Sequence, residues 1–289
     1  MTEPVILRPH SKDLGGGFVV RRTLPSAQRQ AVGPFLFFDH FGPIVAAPTD
    51  NHDVRPHPHI GLATVTYLFD GAMMHRDSTG AVQRIEPGAI NWMTAGRGIV
   101  HSERTPPELR DQARRMHGLQ LWAALPVEHE EDAPSFAHTP ADAIPTCELP
   151  GARVRVLIGS AFGLTSPVLT VSPTLYVDML LDAGALLSLP AAAAERAVYS
   201  VDADIELDGQ PVPACTMAVL PAGRAVGLGA PQGARVVMIG GEPLGHRFMV
   251  WNFVSSRKER IVQAQDDWVA QRMPGVPGET EFIPLPSRG

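Results

Sequence analysis

Cysteine is nearly absent from this 289-residue chain: only Cys147 and Cys215 occur, which excludes a disulfide framework. No run of about 18 apolar residues appears, so no membrane-spanning helix is expected. Basic charge is short as well. The 24 Lys and Arg face 30 Asp and Glu, giving a formal charge of -6 and a pI near 6.0, which argues against direct binding along a nucleic-acid backbone. The opening residues MTEPVILRPHSKD lack a charged segment followed by an apolar one, as a secretory leader would have. There is no Gly-x-Ser-x-Gly elbow for a serine hydrolase, and no lysine follows Gly96 and Gly98 to make a phosphate loop. The expectation is a soluble cytoplasmic protein. What the chain does have is 44% hydrophobic residues, enough for a packed core, and eleven histidines.

Helical periodicity is scarce. Segments 65–70, 153–158, 175–181, 218–220 and 235–239 are rich in β-branched residues and read as strands. Turn signals such as Asp70-Gly71, Pro87-Gly88 and Asp208-Gly209 separate them, the pattern of an all-β sandwich or barrel. Two capping boxes interrupt it. Thr105 with Glu108 predicts a short helix to about Arg115; Ser256 with Glu259 predicts another, with Ile261, Gln265 and Trp268 on one face and its end before Pro274. A weak repeat of strand, turn, strand, Pro/Gly turn, strand recurs in the two halves. It divides the chain into residues 1–135 and 136–289, joined through a Pro- and Ala-rich stretch at 133–150 that lacks a strand pattern.

The chemistry lies in His57-Pro58-His59 and His101-Ser102-Glu103. Residues i and i+2 of a strand point to the same face, so each pair aims two ligand-type side chains one way. Across a small barrel all four converge. Three imidazoles and one carboxylate suit a first-row divalent metal with vacant positions, whereas a closed zinc site would more often recruit thiolates. From residue 139 onward the only histidine is His246, so any histidine-built site belongs to the first half. His40, His75 and His117 read as structural histidines, Trp92 and Met93 as core or cavity wall, Arg97 as a solvated surface residue. Gly96 and Gly98 read as a turn that brings His101 into place.

The segments 55–78 (RPHPHIGLATVTYLFDG followed by HRDS) and 86–103 (EPGAINWMTAGRGIVHSE) resemble the two signatures of the pirins, a branch of the cupin superfamily. FLFFDHFGP at 35–43, FMVWNFVSS at 248–256 and PGETEFIP at 277–284 extend the resemblance nearly end to end. It implies a bicupin: two antiparallel jelly-roll β-barrels with a C-terminal helix packed on them, metal in the N-terminal barrel only. It implies iron held by His57, His59, His101 and Glu103, and quercetin 2,3-dioxygenase-like activity on a flavonol or other enediol with O2. Glu103 then has two candidate roles, metal ligand and acceptor of the substrate's hydroxyl proton. Many pirins, and cupins generally, carry Glu four residues after the second histidine, where this chain has Ala63. Fe(II) is the expected ion, with Zn, Mn, Ni, Co or Cu as other divalent occupants. A second implication is an iron-dependent redox sensor acting through a regulatory protein partner. A zinc isomerase of sugar phosphates finds no basic phosphate cluster to support it.

Overall fold

The computed structural model describes residues 4–15 and 17–286. It is built almost wholly of antiparallel strands, with three 3-10 turns and one α-helix, Lys258–Val269, among the described residues. None of its helices is long and apolar enough to cross a membrane. Each expected strand segment is present: Leu62–Asp70, Ala152–Ile158, Thr174–Leu181, Met217–Val219 and Ala234–Gly241.

The chain folds into two compact units that interleave along the sequence. One gathers Met1–Lys12, Arg21–Asp39 and Thr139–Leu244; the other gathers Asp13–Val20, His40–His138 and Gly245–Gly289. A division at residue 135 therefore follows sequence order but not the units in space. Val5–Leu7 pairs with Met217–Val219, deep in the second half of the chain. The C-terminal helix goes to the unit of the first half, because Ile261, Ala264 and Trp268 pack with Ile60, Val100 and Phe253.

In the unit containing Thr139–Leu244, a seven-stranded sheet runs in the order Val5–Leu7, Met217–Val219, Glu195–Ser200, Ala234–Gly241, Thr174–Leu181, Ala152–Ile158, Thr146–Leu149. A four-stranded sheet (Ala185–Leu189, Val226–Ala230, Ile205–Leu207, Gln210–Val212) completes the barrel. Val154, Val177, Met179, Leu187, Leu207, Val236 and Met238 fill the core, and its buried members are all apolar. That filling is driven by burial of apolar surface.

The other unit holds the four-stranded sheet Val54–His59, Ile99–Arg104, Met73–Asp77, Val82–Ile85. Its second sheet runs Ser135–Thr139, Ile90–Thr94, Leu62–Asp70, Arg114–Ala124 and on to Phe35–Ala46. Phe41, Leu68, Ile85 and Met116 close it with an apolar cluster.

Three local expectations need correction. After Thr105 there is only a 3-10 turn, Pro107–Leu109, with Pro106 at its N-cap and no side-chain cap. Glu108 turns instead to Arg84, and by Arg114 the chain is a strand. At the C-terminal helix Arg257 is the N-cap, because Ser256 is taken by the Glu130 carboxylate (Oγ to Oε2, 2.9 Å). The 133–150 stretch contains two short strands, Ser135–Thr139 and Thr146–Leu149, each with exposed positions that dilute their apolar pattern.

Candidate metal centre

Val54–His59 and Ile99–Arg104 are antiparallel neighbours, and the register sets His57 directly opposite His101 and His59 opposite Ile99. Directly opposed residues share a face, and alternation returns His59 to it, so three imidazoles meet. The turn that starts the Ile99–Arg104 strand needs Gly96. It has φ +50°, and a Cβ there would collide with the Asp132 carbonyl. This is the role expected of it. Arg97 is exposed, also as expected.

His57, His59 and His101 offer ligand atoms that all lie within 4.8 Å of one another, and each side chain is buried. His57 Nδ1 lies 2.9 Å from the Arg55 carbonyl and His59 Nδ1 lies 3.2 Å from the Asn252 carbonyl. A carbonyl only accepts, so both Nδ1 atoms donate, and both Nε2 atoms carry bare lone pairs. His59 Nε2 and His101 Nε2 stand 3.1 Å apart. That is the spacing of two nitrogens sharing an ion at about 2.0–2.1 Å from each. Burial, which disfavours charge, pushes the His57 pKa down to about 4. Burial and the neighbouring imidazoles push His59 and His101 well below the ordinary histidine value. All three are therefore neutral at pH 7, the state a metal requires. The donor set fits a divalent first-row ion.

Glu103 stands two residues beyond His101 on the same strand, opposite His75 and outside the three-histidine cluster. Its side chain keeps some surface exposure, yet the protein packed around the carboxyl raises its pKa to about 7. Between His101 and Glu103 the pairing with Val54–His59 shifts register, so Glu103 faces Val54. Ala63 lies opposite Ala123, on the face of its strand away from Thr64 and Trp122. Trp122 is the residue whose ring stands edge-on to His59 at 5.1 Å. The alanine thus occupies a position that alternation turns from the cluster.

Three neighbours of the cluster went unseen in the sequence. His75, read there as a structural histidine, puts its ring 5.3 Å from that of His101 and its Nε2 2.9 Å from Asp77 Oδ2. The signal was the His75-Arg76-Asp77 spacing, the same period of two as in the ligand pairs. Trp122 and the Asn252 carbonyl carry no such signal, since strand pairing and long-range packing alone bring them in. His40 is buried and bonded to His117 (Nε2 to Nε2, 2.9 Å), in keeping with structural roles. Trp92 is buried and donates from Nε1 to Thr94 Oγ1 on its own strand at 3.1 Å.

The chain matches two family models, Pirin over residues 17–123 and the Pirin C-terminal cupin domain over residues 176–274. A Pirin-like protein of Caulobacter vibrioides is 48% identical, with 95% of this chain and 96% of that protein covered. The crystal structure of quercetin 2,3-dioxygenase from Acinetobacter baumannii superposes with a TM-score of 0.92 at 34% identity, covering 99% of this chain and 96% of that one. The bacterial pirin YhhW from Escherichia coli, whose structure is in complex with nickel(II), shares the fold at a TM-score of 0.64 and 16% identity, covering 83% and 99%. With two cupin domains and a buried three-histidine site in the first half, the chain belongs to the pirin family.

Proposed function

We propose that this protein is an Fe(II)-dependent dioxygenase that opens the central ring of a flavonol such as quercetin, or of a related enediol, with O2. The observation that carries the reading is the meeting of three buried, neutral histidines on two paired strands. The similarity to the quercetin 2,3-dioxygenase of Acinetobacter baumannii supports the substrate class.

In this reading the Nε2 atoms of His57, His59 and His101 hold the ion, with Glu103 as its carboxylate neighbour. When bound, iron supplies Lewis acidity and one-electron exchange with O2. Glu103 accepts the proton of the flavonol 3-hydroxyl, for which a pKa near the working pH is well matched. The Trp122 ring, edge-on to His59, walls the site with apolar surface, against which a flat aromatic substrate packs while water is excluded. Both oxygen atoms of O2 enter the opened product as one carbon monoxide leaves, so no external reductant is consumed.

The test is protein loaded anaerobically with Fe(II), with nickel(II) as the comparison metal, then given quercetin and air. Loss of flavonol absorbance should keep pace with O2 uptake and release of carbon monoxide. Turnover no faster than that of the free metal, by protein that retains its metal, overturns the reading. Glu103→Gln separates the carboxylate's two roles: metal kept with kcat lowered assigns the base, and metal lost assigns the ligand.

A further inference from the structure

We propose that Asp77 and His75 form a positioning pair that holds His101 in the one tautomer able to bind a divalent cation. The proposal rests on the reading of the three-histidine cluster as a metal site, and goes beyond it to two residues that are not among its ligands.

Strand pairing places the pair. Asp77 lies opposite His101 and His75 opposite Glu103, so both face the same way as the ligand strand's own site residues. Asp77 has no surface exposure. Its Oδ1 accepts from the Thr79 backbone N–H (2.8 Å), the Thr79 hydroxyl (2.6 Å) and the Ala81 backbone N–H (3.3 Å). These bonds fix the carboxylate with Oδ2 aimed at His75 Nε2, 2.9 Å away. Burial alone raises the Asp77 pKa, but the hydrogen bonds from His75 and Thr79 outweigh it and keep the group below its ordinary value. An ionised carboxylate only accepts, so His75 carries its hydrogen on Nε2 and leaves Nδ1 bare. Phe136 stacks on the His75 ring at 4.2 Å and 18°, which holds the ring plane.

The bare His75 Nδ1 faces His101 Nδ1 at 3.5 Å, the long end of hydrogen-bond reach. One hydrogen must lie between the two nitrogens, and it belongs to His101. That leaves His101 Nε2 free toward His59 Nε2. The three ligands are therefore not equivalent. His57 and His59 give their Nδ1 hydrogens to backbone carbonyls, which can never donate. His101 gives its own to a side chain whose capacity to accept is set one residue further out, by Asp77. Such outer partners fix the tautomer and orientation of metal-binding histidines.

Asp77→Asn keeps the oxygen that Thr79 needs but turns an N–H2 toward His75 Nε2. His75 should then move its hydrogen to Nδ1, and His101 should be forced to carry its own on Nε2. Zinc(II) affinity, measured by competition with a chromophoric chelator, should fall about 10–100-fold. Long-range 1H–15N spectra of the 15N-histidine-labelled parent should show His75 protonated on Nε2 and His101 on Nδ1, with the His75 pattern reversed in the variant. A purely structural role would lower the melting temperature and leave these patterns in place. His75→Phe, which can stack on Phe136 but not accept, should lose affinity similarly and serves if Asp77→Asn does not fold. Parent-like affinity in the folded variants, or a parent His75 protonated on Nδ1, overturns the positioning pair alone. A parent that takes up no zinc overturns the metal site itself.

Discussion

The pKa of each buried site residue carries a stability consequence, and the signs differ. His57 titrates at about 4 in the folded protein against 6.5 as its ordinary value. Below pH 6.5 the unfolded chain takes up a proton that the native site refuses, so this contribution is present above 6.5 and is lost as pH falls toward about 4. His59 and His101 act in the same direction. The melting temperature of the metal-free protein should therefore drop between pH 7 and pH 5, and less steeply in His57→Gln; calorimetry across that range checks it. Glu103 works the opposite way. With its pKa raised from 4.5 to about 7, its charge costs stability as pH rises through that interval. Metal-free Glu103→Gln should melt above the parent at pH 8 and lose that advantage near pH 4.5. The three clustered histidines were legible in the sequence, because residues two apart on a strand share a face; Glu103, at the same spacing from His101, stands outside the cluster. The histidines' Nδ1 partners were not legible: Asn252 reaches His59 through its backbone, which no side-chain pattern encodes.

At the level of elements, the C-terminal helix and the segment after it brace the metal-bearing strands. Trp268 is buried among Ile60, Val100 and Phe253, and donates from Nε1 to the Ile283 carbonyl at 3.0 Å. Ile60 follows His59 and Val100 precedes His101, so loosening this packing frees both ligands' strands. Trp268→Ala should cost about 3–5 kcal/mol in denaturant unfolding. Further on, Glu279 holds Ser102 and Arg104, the neighbours of His101 and Glu103 in the chain. Most strands were readable from β-branched runs between turn signals. The capping boxes misled because their side chains had better partners elsewhere: Ser256 serves Glu130, and Glu108 serves Arg84. A box motif specifies what an isolated helix end would use, while tertiary packing decides what the side chains bind.

Across the molecule, one barrel holds the ligand cluster and the other is filled with Val, Leu and Met. One equivalent of metal per chain is expected by elemental analysis, and His101→Ala should bring it to zero. Because an ion that binds only the folded form stabilises by mass action, Zn(II) or Ni(II) at 100 times its Kd should add about 2.7 kcal/mol. Thermal scans with and without chelator measure this, and His101→Ala should not respond. That interleaving of the chain also sets a schedule for biosynthesis. The carbonyl that orients His59 is 193 residues downstream, and the helix that braces its strand comes later still. At about 5–20 residues per second, a ribosome needs roughly 10–40 s to travel from His59 to Asn252. The nascent chain thus displays His59 long before the carbonyl that orients it has been made.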